Sequence, residues 1–233
     1  VYSGKIIIDY RMNKTDFSRA RKQPFGDMLL FMFNFLRKSL SIEIDNFVSF
    51  LNSEKGSFKI QNFTKSAFVQ KRKKINPAVF NYLNSVLVDS YYTEDDSQIK
   101  LFNGFRVLAV DGSKITLPFT QELMAFYGVT QNQHDTKVVQ AVSSVFYDLL
   151  NRIAIDASLD NVNSSERELA LGHKPHWKEN DLIIYDRGYP SYNFKYEHIK
   201  AGVNYLIRVK KSQSKVVGDF VASKKRSLII DIF

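Results

Sequence analysis

The hydrophobic positions of this 233-residue chain change their period near residue 98. Residues 24–92 read as helical. Asp27, ahead of the apolar run "MLLFMFNFL" (28–36), marks one helix start. Asn76-Pro77, a capping residue followed by proline at the first helical position, marks another. Beyond Pro77, the residues Phe80, Leu83, Leu87 and Tyr91 fall at steps of three and four, one stripe of an amphipathic helix. Between these starts, "FTKSAFVQKRKKI" (63–75) predicts a short helix with Phe68 and Val69 inward and Lys71, Arg72, Lys73 and Lys74 at its end.

The polar, acidic stretch "TEDDSQ" (93–98) reads as a linker, which divides the chain into a helical region at 1–98 and a second domain at 99–233. Strands are expected at "FRVLAV" (105–110), "KVVQAVSSVFY" (137–147) and "NRIAID" (151–156), the last two forming a hairpin. "SSERELAL" (164–171) predicts a helix with a capping box made by Ser165 and Glu168. A strand "DLIIY" (181–185), a helix "SYNFKYEHIKAG" (191–202) ending at Gly202 and a strand "VNYLIRV" (203–209) follow. The order is β-β-β-α-β-α-β, a meander followed by alternation, and the fold class is α/β with a mixed sheet.

Composition narrows the class. Hydrophobic residues make up 44% and charged residues 24%, the balance of a soluble globular protein. The longest apolar run falls far short of the ~18 residues that a membrane span needs, and no signal-peptide pattern opens the chain. There is no cysteine, which excludes disulfides and thiolate metal sites and leans towards a reducing, cytoplasmic setting. The net charge of +9 is uneven, with 15 basic against 9 acidic side chains in residues 1–95. That excess fits a polyanionic partner, with nucleic acid first, or simply a basic soluble protein. The run Lys71–Lys74 complements a helix dipole and equally suits phosphate contacts of a helix-turn-helix type. The chain opens with Val1 and closes on "SLIIDIF", which reads as a strand cut off in mid-course and predicts a fragment of a longer reading frame.

Two apolar strands run into an acid. "FRVLAVDGS" places Asp111 after its strand, and "LIIYDRGYPS" places Asp186 after another. Taken singly, each suits a turn. If the later strand lies beside the first, as right-handed crossovers allow, the two carboxylates become neighbours. Two ionised carboxylates ~4 Å apart repel by roughly 4 kcal/mol at an effective dielectric of 20. Such a pair keeps a proton or takes a cation, and its hard oxygens suit Mg²⁺ or Mn²⁺. Other candidates carry less. His173 and His176 in "GHKPHW" lack a third ligand and read as surface or loop histidines, and Trp177 reads as core packing. Ser113 and Ser191 have no histidine base in view, which argues against a hydrolase triad.

"LAVDGSKITLP", "YDRGYPS" and their spacing resemble the insertion sequence 4 family of DDE transposases, which have an RNase H-like catalytic core. The likeness extends upstream to "FTKSAFVQKRKKINPAVF" and downstream to "VNYLIRVKKS". It implies a DNA transposase that uses Mg²⁺ or Mn²⁺ to cut double-stranded DNA at insertion-sequence ends and join it to a target. It also implies a homodimeric synaptic complex and a bacterial, nucleoid-associated setting. The first and second catalytic, metal-binding aspartates carry over onto Asp111 and Asp186. DNA contacts are expected from Lys71, Arg72, Lys73, Lys74, Arg187, Lys210 and Lys211. The family's third acid is a glutamate in a Tyr-x2-Arg-x3-Glu-x6-Lys pattern. Tyr205 and Arg208 match its first two positions, but Ser212 stands at the third, so this glutamate is expected beyond Phe233. Two rivals stand beside this reading. One is a non-catalytic DNA-binding remnant; the other is a different RNase H-like nuclease that uses a carboxylate such as Glu197 or Asp219.

Overall fold

A computed structural model describes residues 2–19, 23–34, 38–53, 60–94, 98–131 and 136–230. The chain forms two compact units, Val1–Leu83 and Asn84–Phe233. The first is helical: α1 (Gly4–Tyr10), α2 (Phe25–Phe33), α3 (Leu40–Asn52), α4 (Lys65–Arg72) and the start of α5 (Ala78–Glu94). The apolar run expected to be a buried helix is α2, and its Phe31 is the hub of the core. The ring meets Phe47, Phe63 and Phe68 edge-on, with centroids 5.1, 5.7 and 4.8 Å away. Asp27 is not the cap expected of it. Pro24 holds that position, and the buried Asp27 accepts a hydrogen bond from Tyr2 Oη at 2.9 Å. Asn76 does cap α5, its Oδ1 accepting from the Ala78 N–H at 3.0 Å. The linker expected at 93–98 begins inside α5, and its residues 95–97 lie outside the described residues.

The second unit is built on one mixed sheet. Its strands are β1 (Arg106–Leu117), β2 (Val129–Gln131), β3 (Lys137–Asp148), β4 (Ile153–Asn161), β5 (Asp181–Tyr185) and β6 (Asn204–Ile207). Its helices, besides the rest of α5, are α6 (Gln121–Tyr127), α7 (Glu166–Gly172), α8 (Tyr192–Ala201) and α9 (Lys215–Ala222). β1, β3 and β4 form the antiparallel meander, and β2 shares with β4 the far edge of β3. β5 and β6 then add in parallel on the other side of β1, connected through α7 and α8. The order β4-β3-β1-β5-β6 is an RNase H-like arrangement.

Four details differ from the sequence expectations. β1 does not stop at Asp111 but stays paired with β3 as far as Leu117↔Val139. Ser165 occupies the N-cap of α7 without a side-chain capping bond, so the expected box does not form. Residues 227–230 are irregular rather than a strand, and 231–233 lie outside the described residues. His173 is buried, not a surface residue. Its Nδ1 donates to Asp156 Oδ2 (2.7 Å), which leaves Nε2 to accept from Ser144 Oγ (3.0 Å), tying α7 to β3 and β4. The same bond holds the Asp156 carboxyl below its ordinary range.

The interior between sheet and helices is aromatic. Trp177 packs there as expected, its ring centroid 4.4 Å from that of His198. His198 is fully buried; Nδ1 donates to the Phe194 carbonyl (2.7 Å) and Nε2 accepts from Tyr185 Oη (2.8 Å). With the Tyr185 O–H donating to Nε2, the ring is neutral. Burial lowers its pKa and the Lys174 charge adds to that, while the Phe194 carbonyl and Glu197 act the other way. Below the ordinary imidazole value of about 6.5 the unfolded chain takes up a proton that the folded form refuses, so folding stability falls as pH drops through that value. His198→Gln is expected to be about 1–3 kcal/mol less stable than the parent at pH 7.5. In urea unfolding that gap should narrow at pH 5; an unchanged gap would show that the histidine does not fold as the neutral ring.

Candidate active site at the carboxyl ends of the parallel strands

The parallel pairing of β1 with β5 sets Arg106 opposite Asp181, and Val107, Leu108 and Ala109 opposite Leu182, Ile183 and Ile184. Asp111 and Asp186 each lie two residues beyond the last residue of that pairing, Ala109 and Ile184. The register is pinned at its other end. Arg106 Nε and Nη2 donate to Asp181 Oδ1 and Oδ2 at 2.7 and 2.8 Å, a bidentate pair with both side chains buried. The Lys178 N–H adds a third bond to Asp181, at 2.8 Å, and the Arg106 guanidinium lies 5.1 Å from the Tyr92 ring centroid. A one-residue slip would separate these groups and turn every inward side chain outward.

Past Ala109 and Ile184 the pairing stops. The side chains there change from buried to exposed: Tyr185 is 2% exposed, whereas Asp111 and Asp186 both face solvent. Asp111 Oδ1 accepts the Gly112 N–H at 2.9 Å. The turn after Asp186 is closed by the Tyr189 N–H to the Asp186 carbonyl at 3.2 Å. The carboxyl ends of parallel strands are where ligands bind in open α/β sheets, since the chain leaves the sheet there and exposes its loops.

The family described as Transposase DDE domain matches residues 103–228, from just ahead of β1 to beyond α9. The chain belongs to this DDE transposase family. A search of curated proteins finds no match. In the transposase, the sequence-predicted residues fall into two groups. Asp111 lies in β1 just past its pairing with β5, Asp186 and Arg187 follow β5, and Lys210 and Lys211 follow β6, whose end is tied to β5 by the Arg208 N–H to the Tyr185 carbonyl at 3.2 Å. Lys71, Arg72, Lys73 and Lys74 close α4 in the helical unit. There Lys74 pairs with Asp16 at 2.9 Å and Lys71 lies 5.1 Å from the Phe17 ring centroid, while Arg72 and Lys73 are exposed.

Two solvent-exposed carboxylates with hard oxygens are of the chemistry that suits part of the coordination sphere of Mg²⁺ or Mn²⁺. Among the described residues no three His, Asp or Glu groups come close enough to hold a metal ion, so neither Glu197 nor Asp219 completes the pair. Glu197 is instead the partner of Lys174. Tyr205 lies on β6, Arg208 follows that strand, and Ser212 is the middle residue of the single 3-10 turn Lys211–Gln213.

Sequence reasoning missed Glu166, the first residue of α7. A Cβ on Gly112 would stand 3.0 Å from Glu166 Cδ and 3.1 Å from Cγ, so this side chain lies closely against β1 beside Asp111 and would have to shift for a larger residue there. The next residue reaches the other strand end: Arg167 Nε and Nη2 donate to the Gly188 carbonyl at 3.1 and 2.8 Å. Tyr189 is buried nearby, packed on Tyr185 and Phe194, and its hydroxyl has no hydrogen-bond partner. Burial first, then the charges of Glu166, Asp111 and Asp186, push its pKa up to about 12. The Gly112 amide opposes this, but its N–H is directed at Asp111 Oδ1.

Proposed function

We propose that this chain is a DNA transposase of the insertion sequence 4 type, acting at insertion-sequence ends with Asp111 and Asp186 as its first two catalytic acids. The observation that supports the reading is the parallel β1–β5 pairing, which ends two residues before each aspartate, in a chain of the DDE family. Asp111 and Asp186 would hold the divalent ion, which when bound supplies Lewis-acid stabilisation to the attacking and leaving oxygens of a phosphodiester. Arg187, Lys210 and Lys211 would neutralise phosphates at the same sheet end, and Lys71–Lys74 would add backbone contacts elsewhere on double-stranded DNA. Synapsis of two ends calls for two copies, a homodimer working in the bacterial nucleoid.

The test is cleavage of insertion-sequence end DNA in Mg²⁺ or Mn²⁺, with EDTA as the control. Cation-dependent nicking at the end, absent in EDTA, is the expected result; cleavage that persists in EDTA would overturn the assignment. A second reading is a DNA-binding transposase relative without catalysis. It draws on the lack of a third metal-binding group beside the pair among the described residues. End-specific DNA binding without cleavage in either cation would favour it.

A further inference from the structure

Two helical residues bridge the two aspartate-bearing strand ends. Glu166 lies against Gly112, next to Asp111, and Arg167 holds the carbonyl of Gly188, two residues past Asp186. Between them stands a phenol that is 3% exposed and whose hydroxyl meets no acceptor. An unpaired buried hydroxyl costs about 1–3 kcal/mol, and such an expense within electrostatic reach of three carboxylates points to an acceptor that arrives with a ligand.

We propose that Glu166 is a third carboxylate of the strand-end site, drawn towards a divalent cation held by Asp111 and Asp186, with Tyr189 as its positioning residue. The inference rests on the assignment of the two aspartates above. Without a cation, three like charges repel one another, and the described side chains indeed do not converge to ligand distance. A cation reverses the sign of that interaction. Glu166 is exposed on the first turn of α7 and can swing about its side-chain torsions without moving the helix. As its carboxylate turns inward from Gly112, the Tyr189 O–H becomes its donor and fixes the oxygen that remains off the metal. This carboxylate comes from the helix after the meander, a different place in the chain from the glutamate of the family pattern. It equips the chain to hold a cation by itself. The alternative role for Glu166 is a charge complementing the helix dipole, which would affect folding and leave cation binding untouched.

The experiment is a titration of the full chain with Mn²⁺, read from the electron paramagnetic resonance signal of the free ion, without DNA. The variants are Glu166→Gln, Tyr189→Phe, Asp111→Asn and, as a control on the same turn, Glu168→Gln. Asp111→Asn and Glu166→Gln are each expected to weaken Mn²⁺ affinity by about tenfold or more, and Tyr189→Phe by several-fold. Tyr189→Phe should keep or raise the thermal midpoint, because the lost hydroxyl has no partner. Glu168→Gln should bind as the parent does. Parental affinity in Glu166→Gln alongside weak binding in Asp111→Asn would overturn this proposal and leave the aspartate assignment standing. Equal losses in Glu166→Gln and Glu168→Gln would reduce the effect to net charge and also overturn it. Absence of Mn²⁺ binding by the parent, or parental affinity in Asp111→Asn, would overturn both.

Discussion

Asp186→Asn is expected to reduce cation-dependent cleavage of insertion-sequence end DNA by about 10³-fold or more, while the thermal midpoint stays level or rises slightly. Lewis-acid stabilisation is worth several kcal/mol, and each 1.36 kcal/mol is tenfold in rate, so losing one of two metal-holding carboxylates has a large effect. Folding should not suffer. Asp186 is exposed, and the bonds that shape its turn use the backbone: the Tyr189 N–H to the Asp186 carbonyl, and Arg167 to the Gly188 carbonyl. Removing one of two adjacent like charges also relieves repulsion in the cation-free protein. A time course of nicking, run beside thermal unfolding of the same preparations, reads both quantities. Cleavage within threefold of the parent would sink the catalytic role. Loss of cleavage together with a large drop in midpoint would assign Asp186 a structural one.

The largest stability effect belongs to Asp181→Ala. This change strands the Arg106 guanidinium, 5% exposed, with its charge unpaired against the Tyr92 ring. Breaking a buried ion pair from one side costs about 3–5 kcal/mol, most of it the desolvated charge left behind. Asp181 also accepts the Lys178 N–H, so a further donor loses its partner. The cost should be much smaller when both members are replaced together, as in Arg106→Met with Asp181→Leu, because no buried charge remains. Urea unfolding of the single and double variants measures the difference. A single-variant loss below about 1 kcal/mol would show that water or a shifted strand rescues the arginine.

The parts of the fold visible in the sequence were those with a local signature. Asn76 and Ser191 sit where a cap is needed, and Gly202 ends α8 with a positive φ of 68°, which glycine adopts without steric cost. The placement of β5 beside β1 was legible because crossovers of one hand leave few alternatives. What stayed hidden was set across long separations. Asp111-Gly112-Ser113 looks like a turn, yet Gly112 and Ser113 pair with Ser144 and Ser143 of β3, and that pairing overrides the local preference. His173 reads as a loop histidine until β3 and β4 supply Ser144 and Asp156. Glu166 sits two residues before the Glu168 expected to form a capping box, and nothing local distinguishes the two. α9 did carry a signal that was passed over. Ser214 accepts the Val217 N–H as its cap, and Val216, Val217, Phe220 and Val221 recur at helical steps.

The Arg106–Asp181 pair has a consequence for how such a protein can change over time. The register of β1 against β5 is set five residues upstream of the two aspartates, about 17 Å away along the strands, by groups sealed from solvent. The strand tips are therefore relieved of structural duty. Arg187, Lys210 and Lys211 can be exchanged, and the loops around them lengthened, without sliding one carboxylate past the other. Recognition and chemistry become separable traits, so a lineage can acquire a new DNA preference through its tips while one buried pair keeps the reactive geometry intact.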